Sequence, residues 1–459
     1  MVAALFFAAG LAADAADSAH TPPTPYKTVR YDEDYRYLSD AAKRSDFLDK
    51  VKYLPLDAEG DWYASFGGEV RQRYEYFENY NWGLGPQDST GYLLQRYLLS
   101  GDLHYRDSFR VFGQFMSAPE EGRAGGPRPT DREIGDLHQG FLDAKFGLDG
   151  QSTLTIRPGR QEMYYGSQRL VSVREAPNIR LSFDGLRMLY RRENLQLDAF
   201  VTKPVKSRPG YFDDEPNPDS TFWGVYGVAP WPLLPGGHAD FYYLGFENDT
   251  AAYNQGAGRE VRHSIGTRVW GKASGWDYNV ELVYQFGSFG DGRLSAWTAA
   301  SETGYTFAHL PLQPRFSFKA DIASGDRNPG DSKLQTFNAL FPKGAYFSET
   351  GLVGPANLVD VHPGIELKLT PRLTFFGDWD FFWRQTAGDG LYSNALRLVR
   401  AGDQTDARYI GSQVQAMLQW NISKHFAATV VYAHFFAGEF LKETPPGNDV
   451  NYASAWLTF

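Results

Sequence analysis

Apolar and polar residues alternate in short segments along the chain from Trp62 onward. The clearest segment spans residues 276–286, where every even position is apolar and every odd position except Val283 is polar. Side chains of a strand point alternately to its two faces, so this segment predicts a strand with one apolar and one polar face. Similar segments surround residues 69–76, 315–322, 373–384 and 410–420, and Gly, Asp, Asn or Pro separates them.

The number of these segments indicates how the strands assemble. About eighteen segments fit between Trp62 and Phe459, and bacterial transmembrane barrels have an even number of antiparallel strands. The sequence therefore predicts an all-β fold, a single closed antiparallel transmembrane β-barrel of about eighteen strands that leaves an aqueous channel. A soluble all-β carbohydrate-binding protein or lyase is the alternative, but a soluble sandwich rarely needs so many strands with one polar face each.

Composition agrees with a membrane barrel. The chain has no apolar run of about 18 residues or more, which excludes a helical membrane span. Its mean hydropathy of -0.44 suits a barrel because only alternate residues of each strand face lipid. Aromatic residues make up 16% of the chain, and several lie at predicted strand ends, as in interfacial girdles. These aromatic residues are Tyr63, Phe66, Tyr105, Trp270, Trp276, Trp297, Trp383, Trp420 and Trp456.

The two ends of the chain predict an export route. The apolar run 2–11 and the A-x-A pattern at 13–15 indicate a signal peptide over residues 1–16, although no Lys or Arg precedes the run and a disordered Ala-rich tail is the alternative. Residues 17–61 are expected to form a polar periplasmic leader, and residues 62–459 the barrel. The final strand ends at Phe459 and resembles the recognition signal of outer-membrane barrels, so the expected location is the bacterial outer membrane.

Specific motifs occur in the long gap at 323–364 and around it. The gap contains Ser324-Gly325-Asp326, Thr336-Phe337-Asn338, Leu340-Phe341-Pro342, Tyr346-Phe347, Asn357-Leu358 and His362-Pro363. Elsewhere stand Gly159-Arg160-Gln161, Tyr165-Gly166, Phe183-Asp184-Gly185-Leu186-Arg187, Phe382-Trp383-Arg384 and Asp389-Gly390-Leu391-Tyr392. From about Trp62 to Phe459 the chain thereby resembles the alginate-export outer-membrane channel family. The resemblance implies an eighteen-stranded monomeric barrel with an arginine-rich, anion-selective pore, gated by loops and a periplasmic turn.

Arginines are the candidate pore-lining and selectivity residues. Alternation puts Arg71, Arg73, Arg96, Arg110, Arg157, Arg187, Arg191, Arg268, Arg315 and Arg384 on the lumen-facing side, and Arg160 beside Pro158 has an undecided face. A guanidinium stays charged and offers a planar fork to carboxylates, so such residues attract anions. The same faces also carry acids, among them Glu69, Asp143, Glu281 and Asp378. Each arginine therefore serves either selectivity or a charge ladder that holds the wall in shape.

No pattern indicates an enzyme. The chain has no Cys, its nine His lack an H-E-x-x-H spacing, and no G-x-S-x-G elbow or dinucleotide loop occurs. Asp378 and Asp380 share one strand face, where they can act as acid and base, bind Ca²⁺ or pair with Arg384. We expect no catalytic residue, no metal site and no cofactor. With a net charge of -10 and no basic block, nucleic acid is not an expected partner.

The sequence thus predicts a channel that passes anionic or sugar-like solutes by passive diffusion, including an anionic exopolysaccharide such as alginate. Its expected partners are outer-membrane lipid and the solute, with periplasmic export components as a further option. One alternative is an uptake porin for small organic acids or aromatics, because Phe112, Phe141, Phe376 and Phe382 are predicted to face inward. Another is a plugged structural barrel that conducts nothing.

Overall fold

Eighteen antiparallel strands form a closed barrel in this computed structural model, which describes residues 26–459. The predicted signal peptide and residues 17–25 of the predicted leader lie outside the described residues. The strands are Trp62–Glu78 (β1), Tyr92–Tyr105 (β2), Phe109–Ala118 (β3), Glu133–Gly147 (β4), Ser152–Gln161 (β5), Phe183–Arg192 (β6), Leu195–Lys206 (β7), Ser220–Pro230 (β8), Gly237–Tyr253 (β9), Gly256–Ala273 (β10), Trp276–Phe289 (β11), Gly292–Thr306 (β12), Arg315–Ala323 (β13), Leu358–Thr370 (β14), Leu373–Arg384 (β15), Tyr409–Asn421 (β16), Ala427–Ala437 (β17) and Val450–Thr458 (β18).

The barrel closes because its first and last strands pair with each other. Each barrel strand pairs with its neighbours in sequence, and β1 pairs with β18, with Arg71 opposite Thr458 and Glu78 opposite Asn451. Phe459 extends this seam, since its backbone N–H and carbonyl each bond to Val70. The predicted closed eighteen-stranded barrel is therefore confirmed, and no backbone edge of the sheet stays open.

Other regular elements are short. The remaining strands are Leu54–Pro55, Glu120–Glu121, Glu215–Pro216, Lys333–Leu334, Leu391–Tyr392 and Leu398–Arg400. The helices are Asp49–Lys52 and Glu439–Glu443, with 3-10 turns at Arg30–Asp32, Arg36–Ser39, Ala41–Lys43, Tyr80–Gly83 and Gly402–Gln404. Within residues 26–459, none of the helices has the length and apolar character of a membrane span.

The strand faces follow the predicted alternation. In β11, Leu282 and Tyr284 are each 50% exposed on the outside, while Glu281 and Gln285 are buried on the inside. An outward apolar face meets lipid in a barrel of this kind. Val283, the exception in the pattern, faces inward and packs in an apolar cluster.

The predicted aromatic girdle is found in part. Phe66, Trp276, Trp297 and Trp420 are exposed on the outside of the barrel. Tyr63 differs, because it faces inward and stacks on His104 with ring centroids 4.5 Å apart. The position of Tyr63 at a strand end was therefore not sufficient to predict on which face of the strand its side chain lies.

The two ends of the barrel differ in the length of their connections. At one end the links include the two-residue turns 193–194 and 274–275, whereas the other end carries long loops. We name three of these loop 3 (162–182), loop 7 (324–357) and loop 8 (385–408), after their order at that end. Outer-membrane barrels have short periplasmic turns and long extracellular loops, so the turn end is periplasmic.

The apolar core lies inside the barrel, where loops fold inward. Met163 and Val171 of loop 3 and Phe341 of loop 7 pack against wall residues such as Phe183 and Phe222. A second cluster joins loops 7 and 8 to β15, β17 and β18. Burial of a large apolar side chain contributes about 1.5–3 kcal/mol, so these clusters hold the loops within the lumen.

Residues 26–61 occupy the periplasmic mouth. Val29 and Tyr31 are 2% and 5% exposed, and the ring of Tyr31 packs edge-on against the stacked rings of Phe112 and Phe141 in the wall. The Tyr31 hydroxyl donates to the carbonyl of Glu162 at 2.7 Å, so the segment reaches loop 3. The beginning of the described leader, around Val29 and Tyr31, is thus packed into the barrel, whereas Tyr37, Phe47 and Leu56 are exposed.

Candidate functional site in the barrel lumen

Most of the predicted selectivity arginines are paired with carboxylates of the lumen wall. Arg157 pairs with Asp143 at 2.6 Å, and Arg187 and Arg191 share Asp198 at 2.6 and 2.5 Å. The same arrangement holds for Arg110 with Asp102, Arg268 with Asp240, and Arg315 with Asp277. In each of these lumen pairs the carboxylate stands on an adjacent strand or, for Asp277, on the next strand but one. These pairs form a charge ladder on the lumen face. Arg160 differs, because it pairs with Asp184 at 2.9 Å on the outer face that also carries Leu186 and Val201.

Three arginines of β1 and β2 hold loop 3. Arg71 donates to the carbonyls of Glu175 and Pro177 at 3.0 and 2.9 Å. Arg73 donates to the carbonyl of Ala176 at 3.1 Å, and Arg96 to that of Glu175 at 3.1 Å. Since backbone carbonyls take these donors, the three cations fix the course of the loop across the lumen.

The carboxylate of Glu175 lies in the middle of this cationic group. Burial raises its pKa, but the charges of Arg96, Arg180 and Arg71 lower it more, to about 2. Arg96 contacts both Glu175 and Glu69. Glu175 therefore stays ionised at neutral pH and neutralises part of the surrounding positive charge.

Arg384 has another role. Its guanidinium donates to the carbonyls of Ala387, Asp389, Gly402, Thr405 and Ala407, all in loop 8. It therefore anchors loop 8 rather than pairing with Asp378 or Asp380, the partners considered from the sequence.

Loop 3 itself supplies lumen arginines that strand alternation missed. Arg180 pairs with Glu162 at 2.9 Å, and Arg169 lies 3.4 Å from Glu281. Arg174 has no carboxylate partner among residues 26–459. Its φ of 55° is in the left-handed region that non-glycine residues seldom adopt. Burial lowers its pKa to about 10, so Arg174 is cationic at neutral pH. The sequence did contain one indication of these residues, since Arg169, Arg174 and Arg180 all lie in one long loop between strands.

The four predicted inward phenylalanines do face the lumen but are covered. Phe112 and Phe141 contact Tyr31 of the N-terminal segment. Phe382 packs in the apolar cluster with loop 7, and Phe376 lies against the same cluster. These rings therefore serve as packing surfaces for inward-folded segments.

A cavity of about 320 Å³ remains at the periplasmic mouth. It lies between the N-terminal segment and strands β1 to β5, and Arg36, His104, Arg110 and Lys145 contribute to its lining beside acids such as Asp143. The mouth is thus narrowed by the N-terminal segment and lined by charges of both signs.

The motif residues of loops 7 and 8 form a clasp. The carboxylate of Asp389 accepts hydrogen bonds from Asp326 N–H at 2.9 Å, Thr336 Oγ1 at 2.5 Å and Tyr392 Oη at 2.7 Å. Asn357 donates to the carbonyl of Gly390 at 3.1 Å. The most specific sequence pattern of the chain therefore serves to fix the inward course of two loops.

Comparison with solved structures shows the same fold in porins. The crystal structure of OpdK from Pseudomonas aeruginosa with vanillate has a TM-score of 0.56 at 10% identity, covering 86% of this chain and 98% of OpdK. A BenF-like porin from Pseudomonas fluorescens Pf-5 gives 0.57 at 9% identity, with 86% and 98% covered. OccK2 (OpdF) from P. aeruginosa in complex with glucuronate gives 0.53 at 12% identity, with 89% and 97% covered. No curated protein matches the sequence.

Sequence comparison is more specific than the shared fold. The family described as alginate export matches residues 62–455, which is almost the entire barrel. The barrel closes with eighteen strands, carries its apolar face outward and lines its interior with charge. The chain belongs to the alginate export family and is a β-barrel channel of the bacterial outer membrane.

Proposed function

We propose that this channel passes anionic or sugar-like solutes by passive diffusion, and that Arg174 of loop 3 contacts them in the lumen. The observation that carries the proposal is the state of this one side chain. The side chain of Arg174 keeps part of its surface exposed. Burial alone shifts its pKa, and no carboxylate pairs with it among the described residues. A guanidinium without a partner can form two parallel hydrogen bonds with a passing carboxylate.

The surroundings of Arg174 favour such contact. The neighbouring arginines Arg71 and Arg96 are engaged with loop carbonyls and Glu175, so they are not available for solute without moving the loop. A lumen with protein walls focuses the field of an unpaired charge and raises the local concentration of anions. Loop 3 therefore sets both the narrow passage and its charge.

The inward loops also bear on the size of the solute that can pass. The family includes an anionic polysaccharide in its name, and alginate is one candidate. Loops 3 and 7 packed inside the lumen favour small acids instead, as long as the loops keep this position. OpdK and OccK2, which share the fold, were crystallised with vanillate and glucuronate, both of which are carboxylates.

Planar-bilayer recording tests the proposal. In a KCl gradient we expect an anion-selective reversal potential for the wild type, reduced in Arg174→Gln. Arg397→Gln is the matched control, because it removes a positive charge from an exposed site of loop 8. Glucuronate added to the bath should interrupt the current, with an affinity about 10- to 100-fold weaker in Arg174→Gln, because a charge-assisted hydrogen bond contributes about 1.5–3 kcal/mol.

Other outcomes of the recordings would contradict the proposal or favour an alternative function. Cation selectivity, or equal selectivity of wild type and Arg174→Gln, would contradict the role of Arg174. A barrel that inserts but carries no current would support the plugged structural barrel. Interruption by alginate oligomers but not by glucuronate would favour the polysaccharide.

A further inference from the structure

We propose that Asp360, His362 and Asp380 form a site for a divalent transition-metal ion in the lumen wall. Asp360 and His362 stand two residues apart on the inner face of β14, and Asp380 stands on the adjacent strand β15. One ligand atom from each of the three lies within 4.8 Å of the others. Their exposed fractions are 1%, 2% and 0%. Two strands of a rigid sheet thus hold three ligand side chains together.

The surroundings of the ligand atoms favour a bound cation. Both carboxylate oxygens of Asp360 are buried and accept no hydrogen bond from the described residues. The Oδ1 atom of Asp380 lies against Nδ1 of His362, yet this contact lacks hydrogen-bond geometry. Burying carboxylate oxygens without donors costs several kcal/mol, so such an arrangement calls for a positive charge between them.

The charge of the neighbourhood also suits a dication. Asp321 of β13 stands directly opposite Asp360, and Asp378 lies beside His362, which brings four carboxylates together. The fixed cations facing them are Lys319, opposite His362 in the sheet, and Arg169 of loop 3, whose Nε is 4.0 Å from Asp321. These two cations also face Glu281 and Glu302, so the cluster carries an excess of negative charge that a dication would offset.

The donor set selects the kind of metal. Ca²⁺ and Mg²⁺ prefer oxygen ligands, whereas an imidazole nitrogen with carboxylates suits first-row ions such as Zn²⁺. The Nε2 atom of His362 points towards Asp378, with Oδ1 3.7 Å away. A carboxylate on the far side of a ligating imidazole commonly orients it and fixes its tautomer. We therefore assign Nδ1 as the ligand atom and Asp378 as a positioning residue.

Calorimetric titration of the folded full-length barrel with Zn²⁺, after EDTA treatment and dialysis, tests the site. We expect one Zn²⁺ per barrel, with affinity lowered more than tenfold in Asp360→Asn and in His362→Gln. Asp378→Asn should bind about 10–100-fold more weakly, as is usual for loss of a partner that orients a ligand. Asp143→Asn is the control, because Asp143 is a buried carboxylate of the lumen wall that pairs with Arg157 and belongs to neither candidate cluster.

Folding of each variant is checked separately by resistance to SDS before heating. Substitution with Co²⁺ gives a second readout, since its visible absorption reports nitrogen and oxygen ligation directly and should change in His362→Gln. Absence of binding to the wild type would overturn the proposal and mean that the carboxylates hold protons instead. Binding that survives in folded Asp360→Asn and His362→Gln would overturn it as well.

Discussion

At the scale of single residues, the lumen arginines differ in what their guanidinium groups contact. Arg187 and Arg191 share the carboxylate of Asp198, Arg71 holds backbone carbonyls of loop 3, and Arg174 has no acid partner among the described residues. Only the last kind is ready to bind a solute without breaking an existing contact. Counting arginines on the lumen face therefore overstates the free positive charge.

Removing a shared acid should release positive charge into the lumen. In Asp198→Asn, Arg187 and Arg191 lose their carboxylate, so we expect stronger anion selectivity in bilayer recordings. The loss of hydrogen bonds to a charged group should cost about 1.5–3 kcal/mol, seen as a lower temperature of barrel unfolding in SDS. Asp149→Asn is the control, since Asp149 lies in an exposed turn. Unchanged selectivity in Asp198→Asn would mean that these arginines do not face the conducting path.

Alternation was sufficient to predict which face an arginine occupies, but not its partner. Arg157 and Asp143 lie on paired strands, so their contact follows once the register is known. The contact of Arg73 with Ala176 joins residues 103 positions apart and depends on the fold of a loop. Arg174 lies in that loop, where no repeating pattern identifies it. Local periodicity therefore predicts the wall, and long-range packing decides the site.

At the scale of elements, the strands and the inward loops are stabilised in different ways. The strands are held together by a continuous ladder of backbone hydrogen bonds. Their sequences alternate between apolar and polar residues, so the strands can be recognised from the sequence. Loop 3 depends on individual contacts, among them Asn178, whose Nδ2 donates to the carbonyls of Gln95 and Asp131 at 3.0 and 2.8 Å. Such contacts have no periodic signature, and this is why the course of the loop could not be predicted.

Loosening loop 3 without changing its charge should widen the passage. In Asn178→Ala we expect a higher and noisier single-channel conductance, while the barrel keeps its resistance to SDS. The reason is that Asn178 links loop 3 to β2 and to residue 131 in the preceding loop, and a buried carbonyl left without its donor costs about 1–3 kcal/mol. Asn217→Ala serves as control, because Asn217 bonds to Ser220 within its own loop region at 3.3 Å. A conductance equal to wild type would show that loop 3 does not limit the current.

At the scale of the whole molecule, the channel is a closed wall around a filled interior. The number of strands and the apolar outer face were predicted from the sequence and are confirmed. Gating by loops was expected only from the family resemblance, and the segments that fill the interior were not predicted, because the loops and residues 26–61 carry the polar composition of ordinary connections. The role of their apolar residues, such as Val29 and Tyr31, can be recognised only when the wall residues that they contact are known.

The docked N-terminal segment provides the last prediction. Asp46 contacts Lys424 and His425 at 2.7 and 2.8 Å, and Arg36 contacts Asp107, so the segment is tied to two periplasmic turns. All eighteen barrel strands begin after it, so replacing residues 26–61 with a Gly/Ser linker of equal length should leave the barrel able to form. We expect a larger conductance, because Tyr31 no longer fills the space beside Phe112.

A full-length variant separates docking from the mere presence of the segment. Asp46→Asn with Arg36→Gln removes the ion pairs at the mouth but leaves the apolar contact of Tyr31 in the lumen. The Arg36–Asp107 pair is exposed, and such pairs contribute little, about 0–1 kcal/mol. The contact of Asp46 with His425 is largely buried, but Tyr31 keeps its place in the lumen, so this double variant should conduct nearly as wild type. Tyr31→Ala removes the buried ring and should reproduce much of the effect of the linker. If the linker variant conducts like wild type, the segment does not restrict the pathway in the membrane, and the limiting passage lies at loop 3.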